Sequence, residues 1–134
     1  MNSKEFLLSY TLARKRIRLN REKLRRCEEF IGSEERSCTE SAVSEYEDRL
    51  WLENERLNSL AFEAERTVKL GSFTDTEREL AERRYFLGQK WEDIAEEMCY
   101  SVQHLHRINR ALLAKLTVPV RYAHISFAEV CNGE

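Results

Sequence analysis

The fold of this 134-residue chain is decided by the stretch that runs from Thr74 to Leu116 and reads TDTERELAERRYFLGQKWEDIAEEMCYSVQHLHRINRALLAKL. It begins with a Thr-x-x-Glu capping box, which opens a first helix that ends at Gly88. A short second helix follows in KWEDIAEEM, and after the turn CYS a last helix begins with Ser101 as its N-cap. Two short helices joined by about three residues are what a helix-turn-helix requires.

The apolar spacing of this stretch fits two helices that cross closely. Ala95 puts a small side chain at the crossing. The wedge between the helices is filled by Ile94, Met98, Leu105 and Ile108. At about 100° per residue, the buried stripe of the last helix runs through Leu105 and Ile108 to Leu112.

Polar side chains occupy the other side of the last helix. Gln103, Arg107 and Arg110 point away from the buried stripe, with His106 on the flank. Arginine suits guanine or phosphate and glutamine suits adenine, whereas Lys90 is placed to touch phosphate. The sequence therefore predicts a DNA-binding face that consists of Lys90, Ser101, Gln103, His106, Arg107 and Arg110. An ordinary solvated cationic face is the alternative.

Other kinds of site find no support in the residue pattern. His104 and His106 lie two positions apart on a helix and point about 200° from each other, so they cannot chelate one metal ion. His104 lies nearer the buried side and is expected to pack or cap. No phosphate-binding loop, nucleophile elbow or pair of carboxylates at a defined site is present in the sequence. We expect no catalytic residue, metal or cofactor, and we interpret Trp51 and Trp91 as packing residues.

The first 70 residues predict two long helices that end near Gly32 and Gly71. The first has a heptad seam of Phe6, Tyr10, Ala13, Ile17, Asn20, Leu24, Cys27 and Ile31. The second has a seam of Val43, Tyr46, Leu50, Asn54, Leu57, Ala61, Ala64 and Val68. Either a helical hairpin or an oligomeric coiled coil accounts for helices of this length. In an antiparallel hairpin we expect Asn20 to contact Asn54.

The formal net charge of −2 conceals a strong pattern along the chain. Residues 1–27 carry nine basic and two acidic side chains, and residues 28–70 carry five basic and twelve acidic ones. Residues 101–116 carry three basic side chains and no acidic one. The basic block of the first helix is expected either to pair with the acidic second helix or to follow a phosphate backbone.

The stretch from Thr74 to Leu116 resembles region 4 of bacterial sigma factors. More narrowly, it resembles the sigma-like regulators of phages of Gram-positive bacteria, including the ArpU-type and RinA-type late-gene activators. The shared elements are the Thr-x-x-Glu start, Tyr85 to Gly88, Trp91-x-x-Ile94-Ala95, Tyr100-Ser101 and Ala111-Leu112. The sequence departs from the pattern at Cys99, where such turns usually have glycine. A left-handed backbone there would strain a cysteine by about 1 kcal/mol, so we expect a turn of somewhat different shape.

The resemblance implies an all-α regulator that binds a specific duplex sequence and activates late genes of a phage or prophage. It also implies contact with RNA polymerase and a location in the cytoplasm of a bacterial host cell, and a homodimer through the N-terminal helices is a further expectation. Two alternatives stay open. One is a phage small terminase subunit, and the other is a protein-interaction module that docks on polymerase without binding DNA.

We expect three parts: a helical hairpin or coiled coil at 1–70, a helix-turn-helix domain at 71–116 and a tail at 117–134. The apolar side chains of the tail are expected to pack back on the domain, or else to contact a partner. The four cysteines form no Cys-x-x-Cys pair and are interpreted as free thiols. No apolar run approaches the roughly 18 residues of a membrane span, so we expect a soluble protein without membrane contact.

Overall fold

The two longest elements form an antiparallel hairpin at the N-terminal end of the chain. The computed structural model describes residues 1–31 and 40–132, and over those ranges the protein is all-helical, as the sequence predicts. Helix α1 spans Ser3–Ile31 and α2 spans Glu40–Leu70. The hairpin thus accounts for the length of the two predicted seams.

The hairpin core follows the heptad seams. The buried seam residues are Phe6, Tyr10, Ala13, Ile17, Asn20 and Leu24 on α1, and Leu50, Asn54, Leu57, Ala61, Ala64 and Val68 on α2. Leu7 and Ser9 are also buried, although they lie off the seam. Their burial has a physical reason, because α1 packs against later segments as well as against α2.

The predicted contact between the two seam asparagines is confirmed. The Nδ2 of Asn20 donates to the Oδ1 of Asn54 at 2.9 Å and to the Oε1 of Glu53 at 3.1 Å. Arg16 reaches the same Glu53 oxygen from its Nε at 2.7 Å. This cluster fixes the register of the hairpin, since both asparagines are buried and a shift of α2 along α1 would leave them without each other.

Four further helical segments follow the hairpin. Helix α3 spans Asp75–Ala81 and continues as a π-helical segment over Glu82–Phe86, α4 spans Trp91–Met98 and α5 spans Val102–Lys115. Gly71 lies at the bend between α2 and α3, where the ring of Phe73 and the carbonyl oxygen of Thr67 leave no space for a Cβ. The apolar core continues across this bend.

The tail packs back on the rest of the protein, which is one of the two outcomes expected from the sequence, although Val120 is 81% exposed. It forms two short helices, α6 over Val120–Ala123 and α7 over Phe127–Asn132. The side chains of Tyr122 and Val130 are buried, and the ring of Tyr122 lies 5.9 Å from that of Phe6. The N-terminal amino group of Met1 donates to the carbonyl oxygens of Ala123 and Ile125, each at 2.9 Å.

Two other expectations have clear outcomes. The interpretation of Trp51 as a packing residue is wrong, because its side chain is 58% exposed on the surface of α2. Cys27 and Cys99 are free thiols, whereas Cys38 and the side chain of Cys131 lie outside the described residues. None of the described helices is both long enough and apolar enough to cross a membrane.

Candidate nucleic-acid interface

Helices α3, α4 and α5 pack around a small apolar cluster. Its fully buried members are Leu80, Ile94 and Leu105, one from each helix. The partly buried side chains around them are Trp91, Ala95, Met98 and Ile108. The predicted wedge is therefore present, with Ile94 and Leu105 at its centre.

The turn between α4 and α5 keeps the shape that glycine usually provides. Cys99 adopts the left-handed conformation with φ of 60°. The backbone N–H groups of Cys99 and Tyr100 both donate to the carbonyl oxygen of Ala95. Cys99 therefore adopts the strained left-handed backbone. The turn keeps its usual shape, so the expectation of a different shape is wrong.

Ser101 begins α5 as predicted. Its Oγ accepts a hydrogen bond from the backbone N–H of His104 at 3.1 Å. Because the hydroxyl oxygen acts there as acceptor, its own proton stays available for a further acceptor such as a phosphate oxygen. The side chain is exposed at the N-terminal end of α5, where the helix dipole favours an anion.

The outward face of α5 carries the predicted cationic and amide groups. Gln103, Arg107 and Arg110 are exposed and follow each other at spacings of four and three residues, so they share one side of the helix. Leu105 and Leu112 are buried on the other side. Within the described residues, none of the three polar side chains has a hydrogen-bond or ion-pair partner. This face can therefore meet a ligand without first losing an internal contact.

His106 lies at the edge of this face. Its ring centroid lies 4.5 Å from that of Trp91. The guanidinium of Arg84 also stacks on Trp91, at 4.7 Å from the centroid of the ring. Arg84 also donates to the carbonyl oxygen of Gln89 at 3.0 Å. The stack fixes His106 and Trp91 relative to the loop before α4, while His106 stays exposed.

The expectation that His104 lies nearer the buried side of α5 is wrong, although the expected packing contact is present. The residue is exposed, and its ring lies 4.8 Å from the ring of Tyr100 in an edge-on arrangement. The reason is geometric, because α3 and α4 cover Leu105 and the hairpin core covers Leu112, whereas the position of His104 is left open. His104 thus joins the exposed surface at the start of α5.

Lys90 is exposed immediately before α4. Beyond it, α4 presents acidic side chains to solvent: Glu92, Asp93, Glu96 and Glu97 are all exposed. At the spacing of a helix these four share one side of α4. Phosphate is repelled by that side, so an approaching duplex is favoured at α5 and Lys90 and disfavoured at the outer face of α4.

A polar clamp joins the start of α3 to the end of α5. The capping box is confirmed: the backbone N–H of Glu77 donates to Thr74 Oγ1, and that of Thr74 donates to Glu77 Oε1. The Nζ of Lys115 donates to the same carboxylate oxygen at 2.7 Å. Burial raises the pKa of Glu77, but the hydrogen bonds from Lys115 and Thr74 outweigh it and hold the pKa below its usual value.

The π-helical segment connects α5 to the hairpin through Tyr85. Its hydroxyl donates to Asn109 Oδ1 at 2.6 Å, and its carbonyl oxygen accepts from Thr11 Oγ1 at 2.7 Å. Burial raises the pKa of the Tyr85 hydroxyl more than its bond to Asn109 and the charge of Arg84 lower it. Tyr85 therefore positions α5 on α1 as a neutral hydrogen-bond donor.

Several residues of this framework were not identified from the sequence. The sequence indicates Tyr85 only as part of the shared element Tyr85 to Gly88, but its side chain is buried in the π-helical segment. Arg83 joins α3 to α4, since it is paired with both Glu79 and Glu97. A 3.6-residue pattern gave no signal for these contacts, because the π-helical segment shifts its side chains off that period.

The arginines of α1 serve two roles in the structure. Arg16 is paired with Glu53 of α2. In contrast, Arg14, Arg18 and Arg21 lie along one side of α1 and line a groove beside Phe86 of the π-helical segment. Part of the basic block thus pairs with the acidic helix, and another part faces solvent next to the α3–α5 unit.

In the part of the chain that the structure describes, no group of three or more histidine, cysteine, aspartate or glutamate side chains forms a metal-ligating cluster. The chain matches no protein-family model, no curated protein and no solved structure. The charged surfaces that the described residues present are the exposed face of α5, the acidic face of α4 and the arginines of α1.

Proposed function

We propose that this protein is a sequence-specific DNA-binding regulator of transcription and not an enzyme. The observation that carries the proposal is the outward face of α5, where Gln103, Arg107 and Arg110 are exposed without a partner among the described residues and no acidic side chain lies on the same helix. An α-helix fits the major groove of B-DNA, and arginine and glutamine are the side chains that pair with guanine and adenine edges there.

In the proposed complex, α5 enters the major groove with its N-terminal end toward the phosphate backbone. Gln103, Arg107 and Arg110 contact base edges, whereas Lys90 and Ser101 contact phosphates and fix the register. His106 borders the base-reading face in the orientation that Trp91 gives it. The buried Ile94 and Leu105 hold α4 and α5 rigidly together, so little order has to be gained on binding.

The exposed arginines of α1 extend the positive surface. Arg14, Arg18 and Arg21 are proposed to contact the backbone of the same duplex beyond the α5 footprint. Each phosphate that is neutralised releases condensed counterions, so the affinity should fall steeply as the salt concentration rises. This part of the surface adds affinity without adding sequence preference.

The resemblance to sigma region 4 supports a narrower proposal. It favours a phage or prophage late-gene activator that acts in the cytoplasm of a bacterial host cell and contacts RNA polymerase. The acidic face of α4 supplies a surface for such a contact, because it stays free when α5 occupies the groove and it attracts a basic protein surface.

The test of DNA binding uses the full chain and duplexes from upstream of its own gene and of neighbouring operons, with a scrambled duplex for comparison. Arg107→Ala and Arg110→Ala are each expected to cost about 1 to 3 kcal/mol at the preferred sequence. Lys90→Ala should weaken all duplexes alike and lower the salt slope by about one. Unchanged affinity in both arginine variants would remove α5 from the interface.

The matched control is Lys4→Ala, which removes one exposed positive charge from the first turn of α1, far along the helix from the basic block. It should leave the affinity for every duplex nearly unchanged. If the wild-type protein binds no duplex in a salt-sensitive manner, a second function is favoured, in which the acidic face of α4 docks on a basic protein surface. Glu92→Lys with Glu96→Lys would then abolish binding to polymerase.

A further inference from the structure

Helix α2 has a second heptad seam on the face that points away from α1. The outer seam consists of Glu45, Asp48, Leu52, Glu55, Ser59, Phe62, Arg66 and Lys69, spaced alternately by three and four residues. Leu52 is 65% exposed and Phe62 is 63% exposed, and beside them Trp51 and Leu70 are 58% and 75% exposed. Exposed large apolar side chains at heptad spacing are typical of a helix that packs against a partner helix.

The outer seam is ordered by charge. Its first two positions, Glu45 and Asp48, are acidic, and its last two, Arg66 and Lys69, are basic. Within the described residues, Glu45, Asp48 and Lys69 have no ion-pair partner, and Arg66 has only a loose pair at 3.8 Å with a neighbour on its own helix. The seam therefore presents two ends of opposite sign, with the acidic end unpaired among the described residues and the basic end only loosely paired.

The arrangement of the outer seam is symmetric about residue 57. In an antiparallel pair of α2 helices, each position faces the one that lies equally far on the other side of that residue. The facing pairs are then Glu45 with Lys69, Asp48 with Arg66, Leu52 with Phe62 and Glu55 with Ser59. Every acidic end meets a basic end, and the apolar positions meet each other.

We propose that α2 of one chain packs antiparallel against α2 of a second copy through the outer seam, which gives a dimer with twofold symmetry. An isologous interface has to be complementary to itself, and the outer seam meets that condition in both charge and apolar contact. A parallel pair would instead place Glu45 on Glu45 and Arg66 on Arg66. The Glu55 and Ser59 layers on either side of the axis add hydrogen bonds that fix the register.

Among the described residues, 1–31 and 40–132, no other segment of the chain covers Leu52 and Phe62 of the outer seam. Helix α1 packs on the opposite side of α2, through Leu57, Ala61 and Ala64. The tail packs on α1, where Tyr122 and Val130 are buried. A second copy is therefore the occupant whose charges match, and this inference does not depend on whether α5 binds DNA.

The first measurement is sedimentation equilibrium of the full chain. A dimer has a mass of about 32 kDa, twice the 15.9 kDa of one chain. Because the seam has few apolar layers and two charged ends, the dimer should dissociate as the salt concentration rises. A monomer at tens of micromolar protein in low salt would overturn the proposal, and so would a ring of many subunits.

Two charge variants test the orientation. The basic variant combines Glu45→Lys with Asp48→Arg, and the acidic variant combines Arg66→Asp with Lys69→Glu. Each faces like charges in its own homodimer, so the Kd of each should rise by roughly tenfold or more. Mixed in equal amounts, the two variants should form a heterodimer, because basic ends then face acidic ends at both sites. Dimeric single variants, or a mixture that stays monomeric, would rule out the antiparallel seam.

Phe62→Glu supplies a second variant that leaves the four end charges unchanged. It should give a monomer with the circular dichroism of the wild type, since Phe62 is exposed and outside the hairpin core. The matched control is Asn58→Glu, which adds the same charge at an exposed position of α2 outside the outer seam. If Phe62→Glu is as dimeric as Asn58→Glu, the outer seam is not the interface.

Discussion

The α1–α2 hairpin and the α3–α5 unit are stabilised in different ways. In the hairpin, an apolar seam runs along most of both helices and is interrupted by one buried pair, Asn20 and Asn54. In the α3–α5 unit, only Leu80, Ile94 and Leu105 are fully buried in the local cluster. The difference shows how a small helical unit keeps one face of α5 free, because much of its order comes from contacts at its edges.

Those edge contacts lie away from the proposed DNA-binding face and are both apolar and polar, since Ala81 and Leu112 pack into the hairpin core. Lys115 is bonded to Glu77 at the end of α5, and Asn109 to Tyr85 on its inner side. Tyr85 also connects the unit to α1. The hairpin thus serves as a support on which the unit is docked, and substitutions in the two regions should have different consequences.

The largest effect is expected for Leu105→Ala in the small cluster. The substitution leaves a cavity where three helices meet and should lower the free energy of unfolding by about 2 to 5 kcal/mol. Because only two other side chains of the cluster are fully buried, we expect the α3–α5 unit to lose order before the hairpin does. Urea denaturation gives the free energy, and amide hydrogen exchange shows which helices lose protection.

Leu57→Ala is the matched change in the hairpin, since Leu57 is also fully buried. It should lower the free energy of unfolding by a similar amount but reduce protection in α1 and α2. Leu52→Ala, at an exposed position of α2, should change stability by less than about 0.5 kcal/mol in the monomer. Equal loss of protection in all helices for Leu57→Ala and Leu105→Ala would show that the two regions unfold as one.

A smaller effect is expected from the buried polar pair of the hairpin. Asn20→Ala removes the donor that serves Asn54 and Glu53, and it should destabilise the hairpin by about 1 to 3 kcal/mol. Replacing both partners, Asn20→Leu with Asn54→Leu, should restore stability but relax the register. Thermal unfolding followed by circular dichroism measures the stability of the single and of the double variant. A double variant that is no more stable than Asn20→Ala contradicts this account.

The features that were predictable from the sequence depend on local spacing. The Asn20–Asn54 contact followed from the two heptad seams, and the capping box of Thr74 and Glu77 followed from its motif. The exposure of Arg107 and Arg110 followed from the helical period. In each case the neighbours that decide the outcome lie within a few residues or along one continuous helix.

The features that sequence reasoning missed depend on segments that are distant in the chain. Ser9 is buried because later elements pack on a second side of α1. Tyr85 is positioned by Thr11 and Asn109, which come from different helices. Trp51 is apolar, but its side chain is 58% exposed in the part of the chain that the structure describes. Such contacts are set by the docking of helices and leave no periodic signal in the sequence.

The clamp at Glu77 predicts a pH dependence that belongs to the α3–α5 unit. The pKa of Glu77 is lowered from 4.5 in the folded protein, so its ionised form adds stability above about pH 4.5. That stability is lost as the pH falls through the folded pKa. Glu77→Gln should therefore lower the free energy of unfolding by about 1 kcal/mol at pH 7 and by less in acid.

The control for this prediction is Glu96→Gln, which removes an exposed carboxylate of α4. Urea denaturation between pH 3 and pH 7 gives the free energy of unfolding of each variant. The difference between wild type and Glu77→Gln should shrink as the pH falls, whereas Glu96→Gln should show no such convergence. Glu53 has a lowered pKa for a related reason, since burial is outweighed by its bonds to Arg16 and Asn20. A constant difference at every pH would assign the loss to packing and not to charge.

The smallest effect has the opposite sign and concerns the turn that sets α5 against α4. Cys99 has a φ of 60°, which glycine adopts without strain, so Cys99→Gly should raise the free energy of unfolding by about 0.5 to 1 kcal/mol. Gly88→Ala is the mirror control, because φ there is +71° and no atom lies near an added Cβ, so it should destabilise by about 1 kcal/mol. Urea denaturation measures both changes. If Cys99→Gly is destabilising, the side chain of Cys99 stabilises the turn by more free energy than its left-handed backbone costs.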